Sequence, residues 1–191
     1  SHRYTSRKLE DVYLKVELLQ SGGFNPYLLA MFVKDFRAEF PDQTQFVITS
    51  KTGDNNFTQG AGTEGRPEDY TTINTYFEES IVSDLITKFP DYVRWRILCV
   101  RPRQTYSIHN DGWRKGYKNK RLHIPVVSNP DAFLVFYESK LVGNGSQRIE
   151  HHNLKVGEIY EVDTTGYHTA VNYHPSEERI HIVAERFIPN E

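Results

Sequence analysis

The hydrophobic rhythm of the chain changes near Pro90. Upstream, apolar residues come in blocks. Tyr27-Leu28-Leu29-Ala30-Met31-Phe32-Val33, opened by Pro26, predicts a helix running to about Phe40, where Pro41 stops it. Gln45 to Thr49 reads as a short strand. Residues 50–70, rich in Gly, Asn, Thr and Asp, read as a long loop of the kind that carries function. Thr72 to Phe89 reads as a second helix, with Ile81, Leu85 and Ile86 on one face and Pro90 as terminator. Downstream the pattern shortens. Tyr92 to Val100, Leu122 to Val127, Ala132 to Tyr137, Glu158 to Asp163, Thr169 to Tyr173 and Arg179 to Arg186 read as short strands split by turn residues. Such spacing predicts a sandwich or barrel, and a jelly roll is one arrangement that limits exposed edges. The expectation is one domain over residues 1–191, mainly β with flanking helices. Residues 1–90 form a helical N-terminal buttress, and residues 91–191 form the jelly-roll core. The helices are too few to own a core and should pack on one sheet.

Composition narrows the function classes. A formal charge of −2 over 191 residues offers no basic excess, so no nucleic-acid partner is expected. No apolar run approaches the ~18–20 residues of a membrane span, so no membrane association is expected. The lone Cys99 lies in Ile97-Leu98-Cys99-Val100 and reads as an inert buried thiol. A reducing, cytoplasmic setting fits. Twelve tyrosines and 11 phenylalanines suit a β-rich fold with an aromatic-lined interior.

The candidate chemistry centres on Ser107-Ile108-His109-Asn110-Asp111-Gly112. His109 and Asp111 stand two apart, so on a strand end both side chains leave the same face. His168 lies far downstream, at the head of Thr169-Ala170-Val171-Asn172-Tyr173. Two imidazoles and a carboxylate are the facial ligand set of non-haem Fe(II) oxygenases. The other histidines fit less well. His151 and His152 read as a solvated polar turn, and His174 precedes Pro175 in a turn. Arg179 heads the apolar stretch Ile180-His181-Ile182-Val183-Ala184. It reads either as a surface ion pair or as a clamp on the distal carboxylate of 2-oxoglutarate. Arg121 and His123 share a strand face and could flank the same carboxylate. Alternatively, Arg121 closes the solvated basic run Lys118-Asn119-Lys120, and His123 is a core histidine. Trp113, Arg114 and Tyr117 could border the mouth of the site together with the 50–70 loop.

These motifs, in order, resemble the aspartyl/asparaginyl β-hydroxylase-like branch of the Fe(II)/2-oxoglutarate oxygenases, which includes small proline hydroxylases. The resemblance rests on Ile108-His109-Asn110-Asp111-Gly112, Arg121-Leu122-His123-Ile124-Pro125-Val126, Gly157 to Asp163, His168-Thr169-Ala170-Val171-Asn172 and Glu178 to Val183. It covers about residues 92–186. It implies a double-stranded β-helix, the cupin-like jelly roll. It further implies iron ligands at His109, Asp111 and His168, a co-substrate arginine at Arg179, and co-substrate contacts at Arg121 and His123. The implied cofactors are Fe(II), 2-oxoglutarate and O2. The implied reaction hydroxylates a C–H bond of an amino acid or peptide side chain, with release of succinate and CO2. Two other classes stay open: a metal-dependent cupin-type enzyme that does not use 2-oxoglutarate, and a non-catalytic jelly-roll binding module.

Overall fold

The computed structural model describes residues 15–62, 65–111, 115–138 and 149–191. The elements run β1 (Val16–Ser21), α1 (Pro26–Glu39), β2 (Gln45–Val47), β3 (Thr49–Ser50), β4 (Thr72–Ile73), α2 (Ile81–Thr87), β5 (Val93–Val100), β6 (Gln104–Thr105), β7 (Tyr117–Val127), β8 (Ala132–Tyr137), β9 (Ile149–His152), β10 (Glu158–Asp163), β11 (Tyr167–Asn172) and β12 (Arg179–Pro189). A six-stranded sheet has the order β1-β10-β7-β12-β5-β2, and a four-stranded sheet has the order β6-β11-β8-β9. Neighbouring strands pair antiparallel throughout both sheets. The mainly β architecture with flanking helices, expected from the rhythm of the sequence, is the one observed.

The large sheet is two-faced by strict alternation. Trp95, Ile97 and Cys99 of β5, Leu122, Ile124 and Val126 of β7, and Ile180, Ile182 and Ala184 of β12 point one way. They join Leu29, Val33 and Phe36 of α1 and Val82 and Leu85 of α2 in the main core. The intervening residues point the other way, toward the small sheet. There a second apolar cluster of Val100, Leu134, Phe136, Tyr160, Val162 and Ala170 closes only part of the space. The remainder of that inner face carries Arg94 and Arg96, Arg121 and His123, and Arg179, His181 and Glu185, all at alternate positions. A sheet face in a sandwich is normally apolar, so this polar strip marks where the site lies.

Three expectations require correction. The second helix does not run from Thr72 to Phe89. Thr72–Ile73 pairs with Thr49–Ser50, Thr75–Phe77 forms a 3-10 turn, and Glu79 takes a left-handed φ of 52°. Ser80 then caps Val82 and Ser83 in a capping box, so the helix begins only at Ile81. The first 90 residues do more than buttress the core, because β1 and the expected strand at Gln45, β2, supply both edges of the large sheet. His151 and His152 lie in strand β9 rather than a turn. Helix α1 matches its expectation closely: Asn25 caps Tyr27 and Leu28, and Pro26 occupies the first turn.

Candidate metal centre

The backbone brings the triad together. His109 donates its N–H to His168 O at 3.0 Å, and His168 donates back to His109 O at 2.8 Å. The segment after β6 is thereby bridged to the head of β11. Asp111 N–H donates to Thr164 O at 2.9 Å. As a result one ligand atom from each of His109, Asp111 and His168 lies within 4.8 Å of the others. Asp111 Oδ1 sits 3.4 Å from His109 Nε2, and Oδ2 sits 3.3 Å from His168 Nε2.

The tautomers follow from the carbonyls behind the rings. His109 Nδ1 meets Ser107 O at 2.6 Å and His168 Nδ1 meets Gly166 O at 2.9 Å. A carbonyl only accepts, so Nδ1 carries the hydrogen in both rings. Both Nε2 lone pairs then face a carboxylate, an arrangement that repels unless a cation lies among the three groups. A proton on one ring would meet this need, and so would a divalent metal. The hydrogen bond to Asp111 raises the His109 pKa against the opposing effect of burial. Burial works against ionisation of Asp111, but Arg121 and the two imidazoles outweigh it and hold the carboxyl well below the usual range. Ligand type, tautomer and spacing therefore fit a divalent ion held by two imidazoles and a carboxylate.

Arg121 is neither a solvated loop residue nor free for another ligand at its tips. Its Nη1 lies 2.7 Å from Asp111 Oδ2, and its Nη2 donates to Glu185 Oε1 at 3.0 Å. Arg96 Nη2 donates to the same Glu185 oxygen at 3.0 Å. Asp111, Arg121, Glu185 and Arg96 form a chain of alternating charge that orients the carboxylate of the triad. Arg96 and Glu185 are missed by the sequence reading. Their signal was present: both are charged and fall at alternate positions of otherwise apolar strands. Residues 112–114, including Trp113 and Arg114, lie outside the described residues. Tyr117 opens β7 and is exposed.

His123 is buried, as a core histidine would be, and its ring meets that of His181 on the neighbouring strand β12. The two Nδ1 atoms are 3.1 Å apart, so one donates and the other accepts. Burial first, then Arg179 nearby, push both pKa values well below their ordinary value of 6.5. The unfolded chain therefore binds more protons than the folded one below about pH 6.5. Stability should fall there by about 1.4 kcal/mol per pH unit for each histidine. Urea titrations between pH 7 and 5 should show this slope, and His181→Leu should reduce it. An unchanged slope in that variant would place the acid sensitivity elsewhere.

A cavity of about 730 Å³ opens beside the triad. His109, Asp111, His168, Arg121, His123 and Arg179 all line it, so the sequence-selected residues converge on one space. Arg179 is not a surface ion pair. It is 2 % exposed, its Nη2 has no hydrogen-bond partner, and no carboxylate among the described residues pairs with it. Burial lowers its pKa to about 10. A buried guanidinium left open toward a cavity is a receptor for an anion. Ala61, Gly62, Gly65, Arg66 and Pro67 close the cavity from the long loop, which hangs on the inner sheet face. Gly60 O accepts from Arg94 Nε at 2.8 Å, and Ala61 O accepts from Arg96 Nη1 at 3.1 Å. Gly60 must be glycine, because its φ is 76° and a Cβ would lie 2.2 Å from the Tyr70 ring. Cys99 faces the opposite, helical side. Burial pushes its thiol up to about 12, in keeping with an inert role.

No protein-family model matches the chain. No curated protein sequence matches it either. Solved structures do share its fold. Apo HygX from Streptomyces hygroscopicus matches over 92% of this chain and 82% of its own, at 8% identity and a TM-score of 0.53. An oxidoreductase of the 2OG-Fe(II) oxygenase family from Burkholderia pseudomallei matches over 90% and 84%, at 13% identity and a TM-score of 0.51. The match to SnoN, a non-heme alpha ketoglutarate dependent epimerase from nogalamycin biosynthesis, has 14% identity and a TM-score of 0.41. It covers 51% of this chain and spans less than half, 46%, of SnoN. The fold is thus shared with an oxidoreductase of the 2OG-Fe(II) oxygenase family. No helix among the described residues is long and apolar enough to cross a membrane.

Proposed function

We propose that the chain is an Fe(II)- and 2-oxoglutarate-dependent dioxygenase that hydroxylates a C–H bond of an amino acid or peptide side chain. One oxygen atom of O2 would enter the new hydroxyl and the other the succinate, with CO2 released. The observation that carries this reading is the meeting, in one cavity, of the His109/Asp111/His168 cluster with the carboxylate-free guanidinium of Arg179. Fe(II), when held there, would supply the site at which 2-oxoglutarate and O2 meet, while 2-oxoglutarate and the substrate C–H bond each give two of the four electrons that reduce O2. The protein's own part is positional. Ser107 O and Gly166 O fix the imidazole tautomers, and Arg121 aims the Asp111 carboxylate. Arg179 would receive the distal carboxylate of the co-substrate, and the 50–70 loop would limit water. The shared fold with a 2OG-Fe(II) oxygenase family member supports the class. Assignment to the aspartyl/asparaginyl branch rests on motif order alone.

The test is optical. Anaerobic Fe(II) protein titrated with 2-oxoglutarate should develop a weak visible charge-transfer band. Arg179→Gln should need at least about 30-fold more 2-oxoglutarate to reach the same band, the equivalent of ~2 kcal/mol. Iron uptake without any band would favour a cupin-type enzyme of another kind. No iron uptake would favour a binding module.

A further inference from the structure

The inner face of the large sheet carries a second uncompensated guanidinium, at the far end of the cavity from Arg179. Arg94 lines the cavity, is 6 % exposed, and has a buried Nη2 with no hydrogen-bond partner. Its Nε donates to Gly60 O, and its guanidinium stacks 5.7 Å from the Tyr70 ring centroid. Among the described residues no carboxylate pairs with it. Of the carboxylates that line the cavity, Glu185 serves Arg96 and Arg121, Asp111 serves Arg121, and Glu68, on the loop side, makes no ion pair with Arg94. Burying a guanidinium without a counter-charge costs several kcal/mol, which an incoming anion would offset.

The backbone at this point is strained as well. Arg94 has a φ of 50°, and the register of β12 against β5 shifts between Val183 and Glu185, opposite this residue. A bulge with a left-handed residue is ordinarily made with glycine. An arginine here costs of order 1–3 kcal/mol. The bulge supports the loop that walls the cavity, because Arg94 N–H donates to Tyr70 O at 3.0 Å.

Arg94 and Arg179 do not serve one small ligand. Arg179 stands opposite Val100, so residues 94 to 100 of β5 separate the two, roughly 20 Å along the strand at ~3.3 Å per residue. The Gly60 carbonyl and the Tyr70 ring tether the head of Arg94 at its own end. A five-carbon diacid spans only about 5 Å between its carboxyl carbons. We propose that Arg94 is the anchor for an anionic group, carboxylate or phosphate, on the prime substrate, which lies in the same cavity as the co-substrate but at the loop end. This rests on the dioxygenase reading for the identity of the other ligand, not for the existence of an anion site at Arg94.

Nitrogen-15 arginine NMR on the whole protein tests it. The Nε–H resonance of Arg94 is assigned by its loss in Arg94→Lys. Propionate and methyl phosphate are then titrated separately, with and without saturating 2-oxoglutarate. A saturable shift of that resonance that 2-oxoglutarate does not displace is the expected result, and the tighter probe identifies the anion class. Arg94→Gln should weaken binding of that probe, followed by calorimetry, by about tenfold or more, while Arg179→Gln should leave it intact. Circular dichroism of both variants checks the fold, and Arg94→Lys, which keeps the charge, should retain part of the affinity. Absence of a saturable shift, equal affinity in Arg94→Gln, or displacement of the probe by 2-oxoglutarate would overturn the proposal. Failure of 2-oxoglutarate to bind at Arg179, with the Arg94 site intact, would instead count against the dioxygenase reading.

Discussion

His109→Ala and His168→Ala should both abolish Fe(II) retention and turnover, but only the second should cost stability. Losing an outer partner of a metal ligand typically weakens metal affinity by about 10–100-fold, and losing the ligand itself should exceed that. The two histidines differ in their surroundings. The His109 side chain is 38% exposed, so its truncation removes little packing. The His168 side chain is 6% exposed and its ring lies 5.9 Å from that of Phe136. Truncating a buried side chain of this size leaves a cavity and should cost about 2–4 kcal/mol. The backbone bridge between residues 109 and 168 survives in both variants, because it uses only main-chain atoms. Metal analysis after anaerobic loading, beside thermal melts of the metal-free proteins, separates the effects. Full iron occupancy in His109→Ala would show that the cluster is not the iron site. Equal melting losses in the two variants would show that burial does not distinguish them.

Six of the described strands after Pro90 are legible as short β-rich runs bounded by turn residues, whereas β6 gives no such signal and β9 reads in the sequence as a polar turn. Ala132–Tyr137 and Glu158–Asp163 match residue for residue, and β5 and β12 differ only at their ends. Strand β1 was not legible. It is an edge strand with Leu18 and Leu19 partly exposed, so burial imposes no alternation on it. The second helix begins later than the sequence reading for a local reason, since Glu79 in a left-handed conformation and the Ser80 cap confine it to the segment that carries Ile81, Leu85 and Ile86. The triad residues were selected from spacing and from the strand that His168 heads. What spacing could not give is the neighbour across the sheet. Glu185 and Arg96 meet because β12 lies beside β5, and that adjacency is a long-range fact. Nor could it show that the face bearing Arg94, Arg96 and Arg121 turns inward. Charged residues at alternate strand positions ordinarily mean a solvated face, and here the small sheet and the 50–70 loop cover it.

Glu185 should be among the most sensitive positions in the protein even though it touches no proposed ligand. Its Oε1 accepts from both Arg96 and Arg121 at 3.0 Å, and its side chain is 5% exposed. Glu185→Leu removes the counter-charge of two guanidiniums while leaving both buried. Breaking a buried ion pair from one side costs about 3–5 kcal/mol, which for a domain of this size lowers the melting temperature by roughly 10 °C. The two arginines are not equally stranded by this change. Arg121 keeps Asp111 at 2.7 Å, whereas Arg96 keeps only the Ala61 carbonyl and an Nε with no partner. Burial already lowers the Arg96 pKa to about 9, the mark of a cation held at a cost. The loss should therefore come mostly from Arg96, and Arg96→Met combined with Glu185→Leu should recover much of it. Thermal melts of the wild type, the two single variants and the double variant complete the cycle. Additive losses would assign the effect to packing. A double variant more stable than Glu185→Leu alone would assign it to unpaired charge, and would show that the alternating chain of Asp111, Arg121, Glu185 and Arg96 is held together by its electrostatics.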